Sequence, residues 1–302
     1  MNIAVLGPGG VGGLVGAALS RAGARVTLVA RDSTAATISE QGVRVQSVLL
    51  GDFTAHPHAV ASLEEPVEVL IVATKAAGLH EALDRVGATP QLVLPLLNGL
   101  DHIAVLRQRF GDAPVVAGTI RVEADRPEPG VVVHTSQFLR IDMASKHAPA
   151  RAPMERLAAV LSEAGVPARV SDSEAQVMWS KLVRLNALAC TTSAYDLLLG
   201  EIRSTPELRD DLVGAIEEGC AVAEAEGASI PSGDPLGELT AAHATLGSSM
   251  QRDIAAGRPP ELDAIPGAVL RAAARHNIAC PVVSRLVAVI AQRSNAPLPA
   301  VP

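Results

Sequence analysis

Residues 1–13 read MNIAVLGPGGVGG, and this stretch decides the fold. The apolar run Ile3 to Leu6 ends abruptly in glycines, the pattern of a buried strand, a tight loop and a helix. Gly7, Gly9 and Gly12 fall on the G-x-G-x-x-G spacing, with Pro8, Gly10 and Val11 between them. Physically, the first glycine makes a sharp turn, the second lets the backbone touch a pyrophosphate, and the third lets a helix press on a strand. The helix N-terminus then meets the phosphates with amides that have no intrahelical partner. A chain with 25 glycines can also produce this spacing in an ordinary strand-to-helix turn. Here it directly follows a strand-like run and opens an apolar helix, Val11 to Arg21, closed by Gly23, which selects the dinucleotide-binding reading.

At 302 residues the chain exceeds one domain of about 100–200 residues, so two domains are expected. Hydrophobic residues make up 48% and aromatics only 2%, so the core must be built from Ala, Val, Leu and Ile, and a base-stacking nucleic-acid surface is disfavoured. The net charge is −7 with no long Lys/Arg run, which argues against nucleic acid and anionic membrane as partners; a small anionic ligand would need local cations. Cys190, Cys220 and Cys280 are odd in number and form no C-x-x-C, as expected of reduced thiols in a cytoplasmic protein. The chain starts on a strand, not a basic and apolar leader, and no apolar run approaches about 20 residues, so neither secretion nor membrane insertion is expected. His56 and His58 share a strand face without an evident third ligand, and no metal site is expected.

After the first helix, Arg25 to Ala30 reads as a second strand, followed by Arg31 and Asp32. An acid near this strand end binds the ribose hydroxyls of NAD, whereas an arginine accommodates the 2′-phosphate of NADP. Arg31 comes first and favours NADPH; Asp32 can equally cap a helix starting near Ser33. Short runs at 43–47 and 49–56 precede Val69 to Thr74, a fully apolar strand that ends at Lys75, where open α/β sheets bind ligands and a lysine can hold a carboxylate. A similar strand, Gln91 to Leu96, ends at Asn98-Gly99, where Asn98 either points to the same crevice or serves only the turn. Val115 to Val122 and Val131 to Ser136 look like an antiparallel pair closing one edge of the sheet, before a helix over 154–164 and a strand over 168–170. From Ser173 only helical periodicity remains, over 173–190, 206–226, 236–256, 261–276 and 281–293, with a Pro/Ala-rich tail after Ser294 that reads as disordered. The expectation is an α/β protein: a Rossmann-type dinucleotide-binding domain over 1–170 followed by a smaller all-helical domain over 171–302.

Taken in order, GPGGVGG, Arg31, VATKAAG around Lys75, LLNGLDH around Asn98, PGVVVH at 129–134, MWSKL at 178–182 and SSMQRDIAAGRPPELDAIPG at 248–267 resemble ketopantoate reductase (2-dehydropantoate 2-reductase) over essentially the whole chain. The resemblance implies NADPH-dependent reduction of a 2-keto acid in a cleft between two domains, with the helical half serving substrate binding and a homodimer left open. It implies Lys181 as catalytic general acid, Glu261 and Ser249 as substrate-binding residues, and Lys75 and Asn98 beside both nicotinamide and keto acid. Read without it, Lys181 is a solvated helix lysine and Glu261 an acid favouring a helix N-terminus.

The departures concern substrate. Leu97 stands where the family usually has Gln, Leu185 and Ala189 where it carries asparagines four and eight residues after the lysine, and Pro266 where it prefers Asn. Asn186 is one residue, about 100° of helix rotation, from the nearer position. These replacements point to a relative acting on another, more apolar 2-keto acid as the alternative to ketopantoate. An opine- or imine-type dehydrogenase of the same plan and a non-catalytic NADPH-binding regulator are the remaining alternatives; Lys181, Glu261 and Ser249 together argue against the regulator.

Overall fold

The computed structural model describes residues 1–301 and divides into two compact units. The first comprises Met1–Leu97 and His102–Val177; the second takes Asn98–Asp101 together with the chain from Met178 onward. The strands, all in the first unit, are β1 (Asn2–Leu6), β2 (Arg25–Val29), β3 (Val43–Ser47), β4 (Phe53–Ala55), β5 (His58–Val60), β6 (Val69–Val72), β7 (Leu92–Pro95), β8 (Ala117–Arg121), β9 (Ala124–Asp125), β10 (Val131–His134), β11 (Arg140–Ala144) and β12 (Ala168–Ser171). Between them lie α1 (Gly10–Arg21), α2 (Asp32–Gln41), α3 (Leu79–Leu83), α4 (His102–Phe110) and α5 (Arg151–Glu163).

Five parallel strands in the order β5-β2-β1-β6-β7 form the central Rossmann-type sheet. Because side chains alternate along a strand, Ile3 and Val5 pack into one core with Leu14, Leu28, Ile71 and Leu94, while Ala4 and Leu6 pack into the other with Val29, Leu70, Val72 and Val93. Leu6 pairs with both Val29 and Val72, so β1, β2 and β6 end at one level. Gly7, Arg31 and Lys75 follow those three strand ends.

The expected pairing of 115–122 with 131–136 does not form. β8 pairs antiparallel with β11, whose alternating sequence RIDMA gave no strong apolar run, and β10 runs parallel to β3 and antiparallel to β9. Gly130, at φ +76°, turns the chain so that its carbonyl accepts from the Arg44 amide and aligns β10 with β3. Asp32 likewise does not cap: α2 starts on Asp32 itself, with Arg31 as the preceding residue.

In the helical unit, α6 (Glu174–Tyr195), entered from the first unit, is followed by α7 (Leu199–Ser204), α8 (Pro206–Ala225), α9 (Gly233–Ala241), α10 (Ser249–Ala255), α11 (Ala268–Arg275) and α12 (Pro281–Ser294). The single helix expected over 236–256 is two. The Arg203 guanidinium donates to the carbonyls of Leu239 and Ala242 at 2.8 and 2.9 Å, ending α9, and Ser248 Oγ accepts from the Gln251 amide to start α10. The stretch 261–276 also divides. Pro266 has no amide to give the Leu262 carbonyl, which accepts instead from Gly267 at 3.0 Å, so 263–267 winds as one π turn before α11. The tail is anchored where disorder was expected: the Ala300 carbonyl accepts from Arg271 at 3.1 Å. No helix among the described residues is long and apolar enough to cross a membrane.

His134, on β10, is buried between two serines. Ser136 Oγ donates to the Phe138 carbonyl and so accepts from His134 Nε2 at 3.1 Å, which leaves Nδ1 to accept from Ser47 Oγ at 2.8 Å. Burial holds this neutral imidazole below the ordinary histidine pKa, against smaller upward effects of the Phe138 carbonyl and the Glu123 charge. With the native pKa lowered, the unfolded chain takes up the proton first as pH falls below about 6.5, and stability drops until the native site also protonates. The denaturant midpoint is therefore expected to fall between about pH 7 and about pH 5 more steeply in the wild type than in His134→Gln. Parallel pH profiles for the two proteins would refute this role for His134.

Candidate active site

Gly7 continues β1 with its amide on the Val29 carbonyl at 3.0 Å and turns at φ +87°, where a side chain would meet the Thr74 methyl at 2.7 Å. A Cβ on Gly12 would lie 2.3 Å from the Gly7 carbonyl oxygen, so the loop closes only with glycine there. Gly9 differs: nothing lies within 4 Å of a Cβ built on it. That open space faces no structural demand and suits an approaching ligand. Pro8 spans the turn, and Gly10 and Val11 open α1, whose first turn carries no acid to occupy its amides. Thr74 Oγ1, beside Gly7, is buried without a partner. An open glycine, unopposed helix amides and an orphaned hydroxyl together make a cradle that fits a pyrophosphate.

Arg31 follows β2 with its side chain 72% exposed, and Nε lies 3.3 Å from Glu81 Oε1 on α3. Residue spacing gave no hint of this partner. An ion pair so exposed contributes little and is easily exchanged for a phosphate. Asp32 is more exposed and lies 3.8 Å from Arg85. Lys75, exposed, precedes the one-turn helix Ala76–Gly78 at the end of β6, in the same unit as the glycine loop.

In the second unit the structure brings three of the sequence-derived residues into one chain. Lys181 Nζ donates to Asn98 Oδ1 at 2.8 Å, and Asn98 Nδ2 donates to Glu261 Oε2 at 2.9 Å. A lysine ammonium only donates and a carboxylate only accepts, so the two ends fix which way the Asn98 amide faces. Its dipole then stabilises positive charge on Lys181 and negative charge on Glu261, and both bonds are of the stronger, charge-assisted kind. All three side chains are half-buried, where such bonds are screened less than on the surface.

The helix period explains the exposure of Lys181. Met178, Trp179, Leu182, Val183, Asn186 and Ala187 form the buried face of α6, leaving Lys181, Arg184 and Leu185 on the face less covered by protein. Asn186 is fully buried; its Oδ1 accepts from Cys190 Sγ and its Nδ2 has no partner, so it does not stand in for an asparagine at 185. Leu97 packs in the core of the first unit, and Pro266 is buried in the π turn. Ser249 is the first residue of α10, whose cap Ser248 accepts from Thr192 Oγ1 of α6 at 2.8 Å. Burial pushes the Cys190 thiol up to about 12 and Cys220 and Cys280 up to about 11, which removes them as nucleophiles at neutral pH.

Asn98 is held by Gly99. At φ +83° this residue brings the loop so close to the π turn that a Cβ would lie 2.0 Å from the Ala264 carbonyl oxygen.

A Rossmann-type sheet with a glycine loop, followed by a helical unit carrying a Lys–Asn–Glu chain, defines a two-domain dinucleotide-binding plan. Comparison with known proteins agrees. The family model described as ketopantoate reductase PanE/ApbA matches residues 3–145, and its C-terminal counterpart matches residues 175–294. A 2-dehydropantoate 2-reductase of Halobacterium salinarum is 30% identical over 98% of this chain and 100% of its own length. The crystal structure of 2-dehydropantoate 2-reductase from Geobacter metallireducens superposes with a TM-score of 0.88 at 28% identity, covering 97% of this chain and 99% of that one. D-mandelate dehydrogenase, solved with NADH and anilino(oxo)acetate, shares the fold with a TM-score of 0.87 at 22% identity, over 98% of this chain and 99% of that one. The chain belongs to the ketopantoate reductase family.

Gly99→Ala is expected to destabilise the protein by about 1–3 kcal/mol in denaturant unfolding, because the new methyl meets backbone at positive φ. Gly9→Ala, with open space around it, should stay within about 0.5 kcal/mol of wild type. Equal stabilities for the two variants would contradict the close approach at Gly99.

Proposed function

We propose that this protein is an NADPH-dependent reductase of a 2-keto acid, with ketopantoate the first substrate to test and Lys181 as general acid. The observation that carries the reading is the Lys181–Asn98–Glu261 chain, which holds an ammonium in a unit separate from the glycine cradle. The reading assigns the cofactor to Gly7, Pro8, Gly9, Gly10, Val11, Gly12 and Arg31, with Lys75 and Asn98 beside it, and the keto acid to Lys75, Asn98, Ser249 and Glu261. When bound, a reduced nicotinamide supplies the hydride that the keto carbon receives. As negative charge builds on the carbonyl oxygen, Lys181 stabilises it and transfers a proton, giving the hydroxy acid. Asn98 keeps the amine aimed, and the Glu261 charge, reaching it through the amide dipole, keeps it protonated beforehand. Arg31 exchanges Glu81 for the 2′-phosphate.

A second reading, reduction of a more apolar 2-keto acid, is favoured by Leu185, half-buried on the same face of α6 as Lys181, where the family usually has asparagine. One assay separates the two: NADPH oxidation with ketopantoate against 2-keto acids bearing plain aliphatic or aryl groups. No oxidation across that panel removes both readings.

Lys181→Ala is expected to lower kcat by about 10²–10⁴ and leave NADPH binding unchanged, because it removes proton transfer alone. Unchanged turnover would show that another group is the acid. Arg31→Ala is expected to weaken NADPH by about 10- to 100-fold, the loss of a charge-assisted contact, with little effect on NADH. An unaltered NADPH-to-NADH ratio of kcat/KM would remove Arg31 from cofactor selection.

A further inference from the structure

Arg271, on the second turn of α11, has a side chain only 17% exposed and reaches both segments that carry the site. Nη2 donates to Asp101 Oδ2 at 2.6 Å and to the Asp263 carbonyl at 2.8 Å, while Nη1 donates to Asp263 Oδ1 at 2.7 Å and to the Ala300 carbonyl at 3.1 Å. Asp101 lies three residues after Asn98, and Asp263 lies two after Glu261. The guanidinium therefore bridges the Asn98 loop to the Glu261 segment. Two restraints across this junction matter to the lysine: the Asn98–Glu261 bond and the Arg271 bridge. Gly99 between them prevents the segments from closing further, since its α-carbon already faces the Ala264 carbonyl. A contact that blocks approach does not block separation. The bridge supplies that second restraint.

We propose that Arg271 is a positioning residue: it holds the Asn98 loop against the Glu261 segment and so sets the protonation and aim of Lys181. The role uses a planar fork whose terminal N–H groups point in fixed directions at acceptors on Asp101, Asp263 and Ala300, which a lysine cannot reproduce from one point charge. The kinetic part of this inference rests on the reductase reading; the effect on Lys181 itself does not. Once the bridge is cut, the Asn98 amide spends less time between Lys181 and Glu261. The ammonium loses that stabilisation, its pKa falls, and more of the nucleophilic amine is present at a given pH.

The test uses Arg271→Ala and, should that variant fold poorly, Asp101→Ala, which removes the acceptor of one arm of the bridge on an exposed loop. Arg285→Ala, which removes an ion pair to Asp211 elsewhere in the same unit, controls for general loss of stability. Acetylation of Lys181 by limiting acetic anhydride, followed by mass spectrometry across pH, reads the amine without any turnover. The labelling rate at neutral pH is expected to rise about 3- to 30-fold in Arg271→Ala or Asp101→Ala, a pKa fall of about half a unit to one and a half, and to stay at wild-type level in Arg285→Ala. Where a keto acid is reduced, kcat is expected to fall about tenfold with KM for NADPH unmoved. Labelling and kinetics at wild-type values in the folded bridge variants would overturn the positioning role. A wild-type protein that reduces no keto acid would overturn the reductase reading and leave the labelling comparison to decide on Arg271.

Discussion

The contact between Gly99 and the Ala264 carbonyl is the constraint on which the site depends. An α-carbon without a side chain, at positive φ, lets a loop that follows a sheet strand lie against a π turn in the helical unit. That approach puts the Asn98 amide within hydrogen-bond reach of both Lys181 and Glu261. The π turn has its own cause in Pro266, whose missing amide shifts one backbone bond by a residue. Two backbone peculiarities, at a glycine and a proline, thus place three ordinary polar side chains in line.

The same logic of removed atoms governs the other unit. Gly7 and Gly12 are glycines because backbone and side chain already occupy the space, whereas Gly9 is a glycine with nothing next to it. Only the last of these has no use in the folded protein alone. The level ends of β1, β2 and β6 set Arg31 and Lys75 at the same edge as this loop, as expected of a parallel sheet whose ligands sit beyond its strand ends.

Most of this was legible in the sequence because it is written in periodicity and punctuation. The buried strand before Gly7, the apolar strands ending at Lys75 and near Asn98, and the helical run after Ser173 all follow from short-range pattern. What could not be read depends on partners distant in sequence. RIDMA forms β11 because β8 and β12 flank it, α9 stops where Arg203 reaches its carbonyls, and α11 begins late because Pro266 sits in the π turn before it. The site residues came from motif resemblance, and their bonding came only from the fold. Asp101 and Asp263 stand inside the quoted motifs LLNGLDH and ELDAIPG, yet nothing local says that one arginine on α11 joins them. Glu81 opposite Arg31 was invisible for the same reason.

The central claim is that Asn98 and Glu261, both assigned to the keto acid, act on Lys181 as one chain and not independently of each other. A double-mutant cycle on kcat/KM for the reduced keto acid, with Asn98→Ala, Glu261→Ala and the pair, tests this directly. If the chain operates, Glu261 has nothing to act through once Asn98 is gone, so the double variant should be little worse than Asn98→Ala, with a coupling energy of about 1–3 kcal/mol. Losses that simply add, with coupling below about 0.5 kcal/mol, would contradict the account.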